Sequence, residues 1–118
     1  MNKWNDSFKD GKEVVLSTCS DNKPNANIVI SLGFYDDKLL IADCQMKTTI
    51  DNLKQNGNVC VVGGYFRAKG VANVYNSGMY FDICSRLLSA QDASLKLKNA
   101  IVINIREVFD MENNRVVT

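Results

Sequence analysis

The sequence predicts a mainly β fold, a six-stranded barrel with a few short helices, and three observations lead there. Six segments carry strand chemistry, the helical stretches between them are short, and no repeat, linker or low-complexity segment divides the 118 residues. A closed or nearly closed barrel is the arrangement that leaves such a set of strands without exposed edges. Residues 1–118 are therefore expected to form a single domain around one core.

The elements follow in chain order. Lys3 to Asp10 is expected as a short helix stopped by Gly11, and Glu13–Ser20 reads as the first strand. Asp21-Asn22-Lys23-Pro24 supplies a turn. Ala26, Ile28, Ile30 and Leu32 then alternate with Asn25, Asn27, Val29 and Ser31, which predicts a strand with its apolar set on the core and its polar set outside. A turn at Asp36-Asp37 leads into Lys38–Ala42, whose unbroken apolar run reads as a third strand.

Thr48–Asn56 is predicted as a helix with Thr48 or Thr49 as N-cap and Asn56-Gly57 as its stop. Val59–Val62 is a buried strand ended by Gly63-Gly64, and Tyr65–Tyr75 is another with a kink at Gly70. Asn76-Ser77-Gly78 opens a packing helix carrying Met79, Tyr80, Ile83, Leu87 and Leu88, with a polar, weakly helical Gln91–Asn99 behind it. Ala100–Phe109, β-rich and free of breakers, is expected to be central.

Composition narrows the function. The chain is 46% hydrophobic and 23% charged, with a net charge of +1 and no basic run, so no nucleic-acid partner is expected. No apolar run reaches bilayer length, and the polar Met1–Asp6 start is unlike a signal peptide, so no membrane association and a cytoplasmic location are expected. Cys19, Cys44, Cys60 and Cys84 form no Cys-x-x-Cys pair and are expected to be reduced, mostly buried thiols rather than metal ligands. The absence of histidine removes Ser-His-Asp and Cys-His nucleophiles and the commonest transition-metal ligand. A cofactor that brings its own reactive atoms is the natural alternative.

Met46-Lys47-Thr48-Thr49 lies between a buried strand and a short helix, where unpaired N–H groups meet the positive end of the helix dipole. Two hydroxyls and one ammonium there suit a phosphate monoester. The same residues also fit an ordinary helix start, with Thr48 boxed by Asp51 and Lys47 solvated.

Several stretches resemble one family. Thr18–Ala26, Leu40–Asp43, Met46–Thr49, Asn52–Asn56, Tyr65–Gly70 and the Ile101–Met111 strand are similar to the pyridoxamine 5'-phosphate oxidase-related, FMN-binding split barrels. The resemblance implies a six-stranded split barrel with FMN between two identical subunits, and a small-molecule electron donor or acceptor. It places Lys47, Thr48 and Thr49, with Met46 and Asn52 beside them, at the phosphate. Asn27, Ile28, Val29 and Ile30 would meet the ring, and Ala42 and Asp43 would complete the pocket. Lys47 stands one residue before the lysine position common in the family, which shifts phosphate contacts toward hydroxyls and N–H groups.

An FMN-dependent oxidoreductase of unassigned substrate is the implied function, with no side chain nominated as catalytic acid or base. The alternatives are a flavin-binding electron carrier without turnover, and a split barrel holding haem or a deazaflavin. Arg67 and Lys69, on one strand face, suit either an anion or solvent. Trp4, Phe34, Tyr35, Tyr65 and Phe66 are expected in core or interface packing.

Overall fold

The computed structural model describes residues 3–118. Among the described residues seven strands occur: β1 (Glu13–Ser20), β2 (Lys23–Tyr35), β3 (Lys38–Asp43), β4 (Asn58–Gly63), β5 (Phe66–Tyr75), β6 (Asn99–Asp110) and β7 (Arg115–Val116). Two helices, α1 (Thr48–Gln55) and α2 (Met79–Gln91), and a 3-10 turn at Trp4–Phe8 complete the described elements. The sheet runs β3-β2-β1-β4-β5-β6, and pairing of β3 with β6 closes it into the expected six-stranded barrel. β7 is a two-residue addition to β6 that the sequence pattern does not announce.

Two hairpins set the register. Asp21 and Asn22 both have positive φ, as do Asp36 and Asp37, the backbone of two-residue turns whose twist matches that of the strands. Ser20 therefore pairs directly with Lys23, and Pro24 lies inside β2 opposite Cys19 rather than in the turn. Proline is tolerated there because β2 pairs with β3 only from Ser31 onward. At Gly70 a register shift of β5 against β6 gives the predicted kink, and a Cβ on that glycine would lie 2.3 Å from the Asn104 carbonyl oxygen. Two helical expectations shrink: Lys3–Asp10 becomes the 3-10 turn, and residues 92–98 are irregular because α2 itself runs on to Gln91.

The largest departure concerns β2. Its apolar alternation is real, but it faces the opposite way: Val29 and Ser31 are buried inside, whereas Ile28 is 74% exposed and Ile30 41%. The tight Asp21-Asn22 turn locks β2 to β1 along its length, and a shift of one residue would be needed to exchange the faces. Ala26, Ile28, Ile30 and Leu32 thus form a stripe on the outer wall, of which only Leu32 is buried.

The apolar interior is divided accordingly. One cluster fills the barrel, from Leu16, Leu39, Ile41, Val61, Ile101 and Ile103, with Ile50 and Leu53 of α1 closing it. A second lies outside the wall, where Ile83, Cys84 and Leu88 of α2 cover Leu32, Leu40, Ala100 and Val102. β3 and the first half of β6 are buried on both faces, which explains their unbroken apolar runs. Trp4 stacks edge-on to Phe8 and Phe34, and Phe66 packs on the barrel cluster, as expected of core aromatics. Tyr35 meets Tyr80 edge-on, whereas Tyr65 is exposed.

Candidate functional site

α1 is seated on the polar inner end of β1 and β2 by a ladder of side-chain hydrogen bonds. Thr49 is 1% exposed and donates its hydroxyl proton to Asn27 Oδ1, while Asn25 Nδ2 donates to Thr49 Oγ1 at 3.2 Å and to Asn27 Oδ1 at 3.0 Å. Asn52 Nδ2 donates to Thr18 Oγ1 at 3.0 Å, and Ser20 Oγ donates to Gln55 Oε1 at 2.7 Å. Each buried polar group is thereby partnered, which is what permits a polar seam beside an apolar core.

This arrangement corrects the expected helix start. Neither Thr48 nor Thr49 is the N-cap; Lys47 holds that position, and among the described residues no side-chain cap hydrogen bond closes the start of α1. Thr49 sits inside the first turn, where its hydroxyl reaches β2 rather than back to the helix backbone. The Thr48–Asp51 box does not form either, because Asp51 accepts an ion pair from Lys47 Nζ at 3.2 Å. Lys47 and Thr48 are exposed at this uncapped start, which sets one ammonium and one hydroxyl at the positive end of the helix, while Thr49 and Ile50 behind them are buried.

Next to this helix start lies a cleft of about 320 Å³ between the outer stripe of β2 and the strand-to-helix loop. Ile28, Val29, Ile30, Ala42 and Met46 line it, so five of the residues nominated from sequence meet on one surface. Asp43 does not line it. Its side chain accepts a hydrogen bond from the Met46 N–H and another from Asn99 Nδ2 at 2.7 Å, and its carbonyl accepts one from the Lys98 N–H at 2.8 Å. A buried carboxyl group used this way braces the loop. Asn27, Thr49 and Asn52 likewise face the helix seat, so they hold α1 in position.

Five further lining residues, Cys44, Gln45, Leu88, Gln91 and Leu95, fall outside the sequence expectation. The last three come from α2 and the segment after it, far along the chain, and only their helical spacing was readable. Gln91 Nε2 donates to the Ser31 carbonyl oxygen at 2.9 Å and to Asp10 Oδ1, which ties the end of α2 to β2. Cys44 is half-buried, and burial with the nearby Asp43 carboxylate pushes its thiol up from the ordinary range, so it stays protonated near neutrality. Arg67 lies with its guanidinium 4.8 Å from the centre of the Phe109 ring, and neither it nor Lys69 lines the cleft.

The thiols differ from expectation in one respect. All four are free, but only Cys84 is buried; Cys19, Cys44 and Cys60 are half-buried. Among the described residues no group of three or more potential ligands is gathered for a metal. No described helix is long and apolar enough to cross a membrane.

A closed six-stranded barrel with an outer helix and a cleft at the strand-to-helix loop defines a split barrel. The chain belongs to the pyridoxamine 5'-phosphate oxidase family, which it matches over residues 3–112. An uncharacterised protein of Methanocaldococcus jannaschii is 29% identical over 109 residues, covering 85% of this chain and 73% of its own length. The crystal structure of HupZ from Group A Streptococcus is similar with a TM-score of 0.83 at 14% identity, over 100% of both chains. An FMN-binding protein from Syntrophomonas wolfei subsp. wolfei gives a TM-score of 0.71 at 20% identity, over 89% of this chain and 79% of its own. At those identities the structural likenesses establish the fold.

Proposed function

We propose that the protein binds FMN and acts as an FMN-dependent oxidoreductase in the form of a homodimer. The observation that carries this is the uncovered apolar stripe of Ile28 and Ile30, which ends at an uncapped helix start. A flat aromatic ring joined to a phosphate has that polarity, and family membership and the FMN-binding likeness support the choice. A second copy of the chain is the natural cover for the rest of the stripe, since large exposed apolar side chains in a row mark an interaction surface.

The residues fit the group in divided roles. Lys47, Thr48 and the first N–H groups of α1 would hold the phosphate, while Thr49, Asn52 and Asn27 keep that helix end in place. Ile28, Val29, Ile30, Ala42 and Met46 would exclude water from the ring, and Asp43 fixes the loop that carries Met46. FMN, when bound, supplies reversible two-electron chemistry.

No carboxylate, amine or guanidinium lines the cleft, which favours a second reading, an electron carrier without a small substrate of its own. One preparation separates the outcomes. Visible absorbance and an FMN titration test the cofactor, and a colourless protein that fails to bind FMN at micromolar levels overturns both readings. Catalytic oxidation of NADH or NADPH with an added acceptor supports the enzyme, whereas stoichiometric reduction without turnover supports the carrier. Sedimentation of the loaded protein as a monomer would refute the dimer.

A further inference from the structure

On the other side of α2 from this cleft lies a second and larger groove, of about 530 Å³, which shares no lining residue with it. Leu32, Phe34 and Tyr35 of β2 form one wall, and Ile83 and Leu87 of α2 form the other. Its volume lies within the range of small-molecule sites, and its floor is apolar, with Leu32 and Ile83 buried beneath it. Gly33 lies between the walls at φ +86°, where a side chain would be strained and would meet Asp10 at 3.3 Å.

The charges at its rim are unequal in their commitments. Lys9 Nζ is paired with Asp6 Oδ1 at 3.0 Å, and Asp10 accepts the amide of Gln91. Arg86, exposed on α2, has no ion pair among the described residues, and Asp82 one turn earlier on the helix does not come within salt-bridge reach. An apolar slot with aromatic residues on one wall and a single uncommitted guanidinium at its edge complements a small anion with an apolar body. A planar, two-pronged donor favours a carboxylate as the anionic end.

We propose that this groove is a binding site for an amphipathic organic carboxylate, with its hydrocarbon part between Leu32, Phe34 and Leu87 and its carboxylate on Arg86. The site is separate from the FMN cleft, from which it is divided by α2 and the Gln91 tie to β2.

The test is an amide-resolved NMR titration of the full chain, saturated with FMN, using decanoate and, separately, uncharged 1-decanol. Decanoate is expected to shift amides in Leu32–Tyr35 and Ile83–Leu87 and to bind about tenfold more tightly than decanol, the scale of one charge-assisted hydrogen bond. Arg86→Gln should abolish that preference, Arg86→Lys should restore part of it, and neither should alter FMN affinity. Shifts confined to Ile28–Ile30 and Ala42–Met46 would place the ligand in the other cleft and overturn the proposal. So would equal binding of acid and alcohol, no binding of either, or groove shifts produced by raising protein concentration alone, which would identify a second copy as the occupant.

Discussion

The two helices meet the barrel in opposite ways. α1 enters the barrel end, adding Ile50 and Leu53 to the interior and fastening itself through Thr49, Asn52 and Gln55 to polar residues of β1 and β2. α2 lies against the outer wall and is held mainly by apolar contact, with Ile83, Cys84 and Leu88 over Leu32, Leu40 and Val102 and a side-chain tie from Gln91 at its end. Hydrogen bonds fix direction and register, whereas apolar contact mainly fixes area. Under the proposed function, the first kind of seat suits a helix whose N-terminus presents N–H groups to a phosphate. A helix that need only cover a wall is served by the second.

Truncation in the two seats should have the largest effects. Leu53→Ala, in the barrel interior, should lower stability by about 3 to 4 kcal/mol, read from chemical denaturation as one cooperative loss. Leu88→Ala should cost about 2 to 3 kcal/mol, with hydrogen exchange rising first in α2 while barrel amides stay protected. Equal and global losses would show that both helices belong to one cooperative unit.

The polar seat is tested by Asn27→Ala, which leaves the Thr49 hydroxyl and the Asn25 amide without their common acceptor. A loss of about 1 to 3 kcal/mol in stability is expected, together with weaker FMN binding although the side chain faces away from the cleft. Unchanged FMN affinity would show that the helix end holds its place without the ladder.

A smaller effect belongs to the outer seat. Burial pushes the Cys84 thiol up to about 11 from its ordinary 9.0, so the folded protein keeps a proton that the unfolded chain gives up. The stability linked to that proton is complete below pH 9 and is lost as pH rises through 11. Denaturation midpoints should fall more between pH 8 and pH 10.5 for the wild type than for Cys84→Ala. The smallest change is expected at Lys47, whose ion pair with Asp51 is exposed: Lys47→Ala should alter stability by less than about 0.5 kcal/mol. Its FMN affinity should fall by about 1 kcal/mol, measured by fluorescence titration.

Much of the barrel was readable because short-range chemistry decides it. Asp21-Asn22 and Asp36-Asp37 tolerate positive φ, Gly70 accommodates the shift against β6, and the spacing of Ile83, Leu87 and Leu88 marks α2. Within the candidate site, the loop and the strand were legible as segments, and Ile28, Ile30, Ala42 and Met46 do share a cleft. The part played by each polar residue was not legible. Thr49 and Asn27 lie 22 positions apart, and nothing in either local pattern says that one will spend its hydroxyl on the other.

Local sequence pattern was enough to mark the six barrel strands, the Asp-Asn and Asp-Asp hairpin turns, and an alternating apolar set on one side of β2. Only the tertiary structure decided which side that is. Alternation defines two faces without naming the inner one; the choice fell to the Asp21-Asn22 turn and the pairing of β2 with β1, which turned Val29 and Ser31 inward. The same choice left Ile28 and Ile30 on the outer wall beside the uncapped start of α1, a juxtaposition that exists only once the barrel has closed.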